Sequence, residues 1–209
     1  MLKTNQLSFQ YQGNTNVFSF PDIACKSNET MLVLGKSGVG KTTLLHLLAG
    51  LLVPKQGEIW IDDTNFAQLS GSKRDRFRGQ SIGIVFQQPH FIQALTIAEN
   101  LNLAQSVAGQ KVDKKRTISL LEQLDIAHRA NARANEMSMG EQQRANIARA
   151  LINAPKLLLA DEPTSALDDE NCALVVQLLE QQAQIQGSAL VVVTHDLRLK
   201  NYFQQHVQL

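Results

Sequence analysis

Residues 35 to 42 read Gly35-Lys36-Ser37-Gly38-Val39-Gly40-Lys41-Thr42, the pattern G-x-x-x-x-G-K-[ST], and few short patterns dictate as much local architecture. Glycines let the backbone curl until its N–H groups face one phosphate, and a helix must follow so that its positive dipole end meets the same anion. Lys41 then brings a point charge to the β- and γ-phosphates, and the Thr42 hydroxyl completes the coordination of Mg2+. The flanks suit the pattern. Met31-Leu32-Val33-Leu34 is a short apolar run fit for a buried strand, and Thr43 to Gly50 continues as helix until glycine stops it. A glycine-rich turn without ligand would need neither flank, so a nucleoside triphosphate site is expected.

With 209 residues, 44% of them hydrophobic, the chain fits one domain with a real core, with room for an inserted lobe. Its 20 basic and 19 acidic residues leave a net charge of +1, so no positive excess points to nucleic acid. No segment approaches the roughly 20 apolar residues of a membrane span. The opening Met1-Leu2-Lys3-Thr4-Asn5-Gln6 lacks the basic-then-apolar order of a secretory signal, which places the protein in the cytoplasm as an expectation. Cys25 and Cys172 stand apart and read as buried thiols, not a disulfide framework.

Along the chain, Leu2 to Tyr11 alternates and Val17 to Ile23 is apolar enough to pair with it around a turn at Gly13-Asn14, an antiparallel start. Further strands are expected at Glu58 to Ile61 and Ser81 to Phe86. Leu157 to Ala160 and Ala189 to Val193 are continuous apolar runs, the sign of strands covered on both faces of a parallel sheet. Between Phe86 and Pro155 the spacing turns helical, over Ile97 to Ser106, Lys114 to Leu124 and Gly140 to Ile152. The expected fold is therefore α/β: a P-loop NTPase core with a mostly parallel sheet (1–86 and 155–209), an N-terminal antiparallel β portion, and an inserted α-helical lobe (about 87–154).

The apolar run Leu157 to Ala160 ends in Asp161 and Glu162, at the strand end where ligands gather in such folds. Asp161 is placed to hold Mg2+, directly or through water, and Glu162 to polarise the water that attacks the γ-phosphorus.

At this point the chain resembles the ATP-binding subunit of an ABC transporter, over nearly its whole length. Met137-Ser138-Met139-Gly140-Glu141-Gln142-Gln143-Arg144 resembles the family's L-S-G-G-Q signature. Ser165-Ala166-Leu167-Asp168 resembles the D-loop, Val193-Thr194-His195-Asp196 the switch histidine, and Val85-Phe86-Gln87-Gln88 the Q-loop. Tyr11 sits where the family carries a ring that stacks on adenine. The resemblance implies an ATPase that binds ATP and Mg2+ and pairs head to tail with a second copy, a homodimer in which each ATP lies between one phosphate loop and the partner's signature. In that scheme residues 35–43, including Thr43, cradle the phosphates; Ser138 and Gly140 complete the pocket from across the interface; Asp168 of the D-loop-like segment belongs to the nucleotide site; and Thr42, Gln87 and Asp161 serve the metal. Glu162 is the base, His195 touches the γ-phosphate or the attacking water, and Gln87 links the site to the helical lobe.

The resemblance further implies an integral membrane permease docking near Gln87 to Ile92, with the chain peripheral on the cytoplasmic face of the cell membrane. Segments such as Leu95-Thr96-Ile97-Ala98-Glu99-Asn100 look most like the lipoprotein-release and macrolide-export branch. Only 14 residues follow His195, so an appended regulatory domain is not expected. Two alternatives stand beside this reading: a nucleotide-gated scaffold without transported cargo, and a DNA-repair ATPase, which the missing heptad array and the neutral charge disfavour. Two departures bear on the signature. Met139 replaces a glycine, adding bulk where positive φ is awkward, and Glu141 replaces a glutamine, placing a carboxylate near a triphosphate. Weakened closure is the expectation. Asp63, in the turn after the Ile59 strand, replaces a glycine common in relatives, with no catalytic consequence.

Overall fold

The apolar runs become the centre of a five-stranded parallel sheet in the computed structural model, which describes residues 1–165 and 168–209 apart from the Glu170 side chain. Ala166 and Leu167, the middle of the D-loop-like segment, lie outside the described residues. The sheet contains β4 (Thr30–Leu34), β7 (Ile82–Val85), β8 (Leu157–Asp161), β9 (Ala189–Thr194) and β10 (Gln205–Gln208), ordered β10-β4-β9-β8-β7.

Alternate residues of each central strand feed separate cores, which explains why no polar residue interrupts the runs. Leu32, Leu158, Leu190 and Val192 face one apolar cluster, while Met31, Val33, Leu157, Leu159, Val191 and Val193 face the other. On the first face lie α3 (Ile97–Val107), α4 (Lys114–Gln123), α5 (Met139–Leu151) and α6 (Asp169–Gln186), through Ile97, Leu101, Leu121, Ile147 and Leu179. On the second lie α1 (Lys41–Leu48) and an antiparallel sheet, in which β1 (Leu2–Phe9) pairs with β2 (Phe18–Ser19), β3 (Ala24–Cys25) and β5 (Gln56–Ile61), and β5 with β6 (Thr64–Asn65).

Several local expectations need correction. The segment Val17 to Ile23 is not one strand: Pro21, which has no N–H to give a ladder, lies between β2 and β3. Ser81 belongs to α2 (Gly71–Ser81), a polar helix that hydrophobic spacing did not reveal, and the strand begins at Ile82. The turn after β5 falls at Asp62-Asp63 as expected, with Asp62 in the left-handed backbone at φ 50°. Among the described residues no helix is long and apolar enough to cross a membrane.

Candidate functional site

Strand order builds the site. The segments that follow β4, β9, β8 and β7 leave neighbouring strands at their C-terminal ends, so the phosphate loop, His195, Glu162 and Gln87 arrive side by side from distant parts of the chain. They line a cleft of about 510 Å3 whose walls are Phe18, Ser37, Gly38, Gly40, Lys41, Thr42, Thr43, Gln87, Glu162 and His195.

The phosphate loop is fixed at both ends. Gly35 N–H donates to the Thr194 carbonyl at 3.3 Å, tying the loop to β9, and Gly40 caps α1 with φ 105°. A side chain at Gly40 is excluded twice over, by that backbone and by Phe18, whose ring carbon would lie 2.8 Å from a Cβ. Lys41 is 8% exposed; its ammonium donates to the Lys36 carbonyl at 3.1 Å and stands 3.6 Å from Glu162 Oε1.

Glu162 takes a left-handed backbone, φ 46°, a conformation costing about 1–3 kcal/mol for a residue with a side chain. Its N–H donates to the Val193 carbonyl at 2.8 Å. The carboxylate accepts from Thr194 Oγ1 at 2.7 Å and the His195 N–H at 3.2 Å, and lies 2.9 Å from His195 Nδ1. Burial pushes its pKa up, but the bonds from His195 and Thr194 outweigh burial and hold it below the ordinary glutamate value. Asp161 goes the other way: burial, then the Glu162 charge, raise it, and its Oδ1 is buried without a hydrogen-bond partner.

Gln87 is exposed, and its amide donates to Ser165 Oγ at 3.1 Å, joining the Q-loop-like turn to the start of the D-loop-like one. Tyr11, 40% exposed, meets Phe9 and Phe18 edge to face, and its hydroxyl lies 3.1 Å from Thr43 Oγ1. Ser138 and Gly140 stand outside the cleft, at the N-terminus of α5, and Gly140 lines an adjoining cavity of about 520 Å3 that also reaches Gln87, Glu162 and Ser165. Asp168 caps α6 by accepting from the Asn171 N–H at 2.9 Å.

The departures in the signature look different in three dimensions. Met139 is the first residue of α5, outside the left-handed region, and 74% exposed, so its backbone asks for no glycine. Glu141 turns back on its own helix end, where Ser138 and Arg129 hold it. The surface near Gln87 is also revised: Ile92 and His90 are exposed, but Phe91 is buried beneath the Arg149 guanidinium, 4.9 Å above its ring.

Sequence reasoning missed Phe18, which closes the cleft, and Thr194, which orients Glu162. It also missed Asn146 and Arg149 of α5, which donate to the carbonyls of Phe86 and His90 and so fasten the signature helix to the Q-loop-like turn. The Phe-Ser-Phe spacing at 18–20 was the one available signal for the first; the others act through contacts far apart in sequence.

A buried lysine and an ionised carboxylate at the mouth of a phosphate loop define a nucleotide-hydrolysing cassette. The ABC transporter family matches residues 21–165, and the chain belongs to that family as one of its ATPases. It is 38% identical over 197 residues to the lipoprotein-releasing system ATP-binding protein LolD of Xanthomonas oryzae pv. oryzae, covering 93% of this chain and 81% of that one. The LolD protein of Xylella fastidiosa is 39% identical over the same length, covering 93% and 82%. Among solved structures, the dimeric bacterial ABC transporter cassette MJ0796 superimposes with TM-score 0.87 at 32% identity, covering 100% of this chain and 94% of that one. The cbiO1 protein of Clostridium perfringens, part of the cbiONQ ABC transporter complex, gives 0.87 at 27%, covering 99% and 83%.

Proposed function

We propose that the chain is the motor subunit of a membrane export complex of the lipoprotein-release kind, closing head to tail with a second copy around two Mg·ATP and opening after hydrolysis. One observation carries this reading: Lys41, Gln87, Glu162 and His195 line a single cleft with the phosphate loop. The loop residues 35–43 bind the triphosphate through backbone N–H groups and the Lys41 charge. Tyr11, beside Thr43 and Phe18, offers its ring to adenine.

Mg2+ fits the residues present: Asp161, the last residue of β8, has a buried Oδ1 without a hydrogen-bond partner, and Thr42 and Gln87 line the cleft beside its neighbour Glu162. Thr42 and Asp161 would hold it with Gln87 completing the set, and it would supply positive charge to the phosphate oxygens. Glu162, kept ionised by Thr194 and His195, takes the proton of the attacking water or orients it. His195 hydrogen-bonds the γ-phosphate or that water. From the second copy, Ser138, the Gly140 N–H and Asp168 close the pocket over the γ-phosphate. Loss of that phosphate removes the contact and releases the pair.

The helical segment 87–154 forms the lobe that carries Ser138, and its turn at Gln87 to Ile92 receives a short helix of the permease at Ile92 and His90. This seats the chain peripherally on the cytoplasmic face of the membrane. Glu162→Gln tests the scheme: with Mg·ATP the variant elutes as a dimer and without nucleotide as a monomer. A variant that stays monomeric at saturating Mg·ATP overturns it.

A further inference from the structure

At the N-terminal end of α5, Ser138 is tied to an ionic cluster of Glu141, Arg129 and His128, three residues to which the scheme above gives no part. Glu141 Oε1 accepts from Arg129 Nε at 2.7 Å and lies 3.3 Å from His128 Nε2. Glu141 Oε2 accepts from the Ser138 N–H at 2.8 Å and from the Ser138 hydroxyl at 2.9 Å, while the Glu141 N–H donates back to Ser138 Oγ at 3.3 Å. The carboxylate is thus shared between a cation and the signature serine. Arg129, then Ser138, hold its pKa down at about 2, so it carries its charge at every physiological pH.

A serine hydroxyl has one proton to donate. Here that proton goes to Glu141, so a phosphate oxygen can receive it only when the bond to Oε2 is given up. An isolated carboxylate at this position opposes a triphosphate twice: it holds the serine proton in a charge-assisted bond, and it repels the approaching anion. A guanidinium on the other oxygen reduces both effects, because the pair is close to neutral and its carboxylate is a poorer acceptor.

We propose that Arg129 is a positioning residue of the signature segment, acting through Glu141: it neutralises the carboxylate beside Ser138, so that Ser138 can turn its hydroxyl to the nucleotide held by a second copy. The inference rests on the head-to-tail reading and adds the residue that lets this chain use glutamate where the family signature has glutamine.

The test is a double-mutant cycle in the Glu162→Gln background, reading Mg·ATP-driven dimerisation by sedimentation over a range of protein concentration. Arg129→Gln is expected to weaken the dimer at least about tenfold, with ATP binding to the monomer, read with a fluorescent ATP analogue, unchanged within about twofold. Glu141→Gln should dimerise at least as tightly as the parent, and adding Arg129→Gln to it should cost no more than about threefold. Arg129→Met, which keeps the aliphatic stem, carries the same comparison should Arg129→Gln fail to fold. An arginine variant that dimerises like the parent, or that loses as much when combined with Glu141→Gln as when Glu141 is in place, overturns the proposal. A Glu162→Gln parent that never dimerises instead removes the head-to-tail reading, and this inference with it.

Discussion

Lys41 Nζ stands 3.6 Å from Glu162 Oε1, although 121 positions separate the two residues in the chain. Both side chains are nearly buried, at 8% and 11% exposure. The proposed phosphate-binding lysine and the proposed catalytic carboxylate therefore form one electrostatic unit, and Thr194 and His195, at and just past the end of β9 between their strands, supply the groups that orient Glu162.

Thr194 is the buried member of that support, its hydroxyl donating to Glu162 and accepting from the Asp196 N–H at 3.0 Å. Thr194→Val is expected to cost about 1.5–3 kcal/mol, the usual worth of a hydrogen bond to a charged group. The pH dependence has a definite sign. Glu162's folded pKa lies below its ordinary value of 4.5, so its contribution to stability is present above 4.5 and lost as pH falls through the folded value. Thr194→Val, which raises the folded pKa, should lessen that loss and move the acid limb of the turnover profile upward. Denaturant melts from pH 3 to 8 check the first, and steady-state ATPase assays the second; an acid limb unchanged from wild type would contradict the assignment.

Asp161 carries the opposite sign. Burial and the neighbouring Glu162 charge raise its folded pKa above 3.8, so its ionised form weighs against the nucleotide-free fold at neutral pH and the burden lifts on acidification. Asp161→Asn should raise the thermal midpoint at pH 7 by about 2–4 °C, the effect of ~1 kcal/mol in a domain of this size. The advantage should vanish as pH falls through the raised value. The same variant should lose Mg-dependent turnover by at least about tenfold. Scanning calorimetry without nucleotide and an ATPase assay make the comparison, and a midpoint that falls would count against it.

Both cysteines should be silent. Burial, reinforced by the Glu29 charge, pushes the Cys25 thiol up to about 11, and burial raises Cys172 as well. The thiolate is the reactive species, so an aromatic disulfide reagent at pH 7.5 should release no chromophore from the native protein and two equivalents after denaturation. Stoichiometric reaction of the native chain within minutes would show that one thiol opens to solvent.

What the sequence disclosed was local. Gly35 to Thr42 and the run Leu157 to Glu162 state their roles within a few residues, because a phosphate loop needs one strand and one helix. Gly71 to Ser81 folds as helix with Phe77 its largest apolar side chain, so no hydrophobic period marks it. Gln205 to Gln208 is mostly exposed, a sheet-edge strand whose only apolar residue is Val207. Arg129 and Thr194 are invisible for another reason: each acts on a carboxylate 12 or 32 positions away, and only the folded chain brings the pairs together.

Gly140 separates folding from assembly. A Cβ built there meets nothing within 4 Å, and its φ lies outside the left-handed region, so nothing inside the monomer demands glycine. In this it differs from Gly40, where backbone and Phe18 both do. Alanine suits a helix better than glycine by about 1 kcal/mol in its interior and by less in the first turn. Gly140→Ala should therefore leave the monomer as stable as wild type or slightly more so. If the α5 N-terminus meets a triphosphate held by another copy, the added methyl lies where that ligand must approach, and dimerisation in the Glu162→Gln background should weaken by at least about tenfold. Calorimetry and sedimentation on the same preparation separate the two effects. Unchanged dimerisation would place the γ-phosphate away from Gly140, and a destabilised monomer would give the glycine a structural role that the geometry denies it.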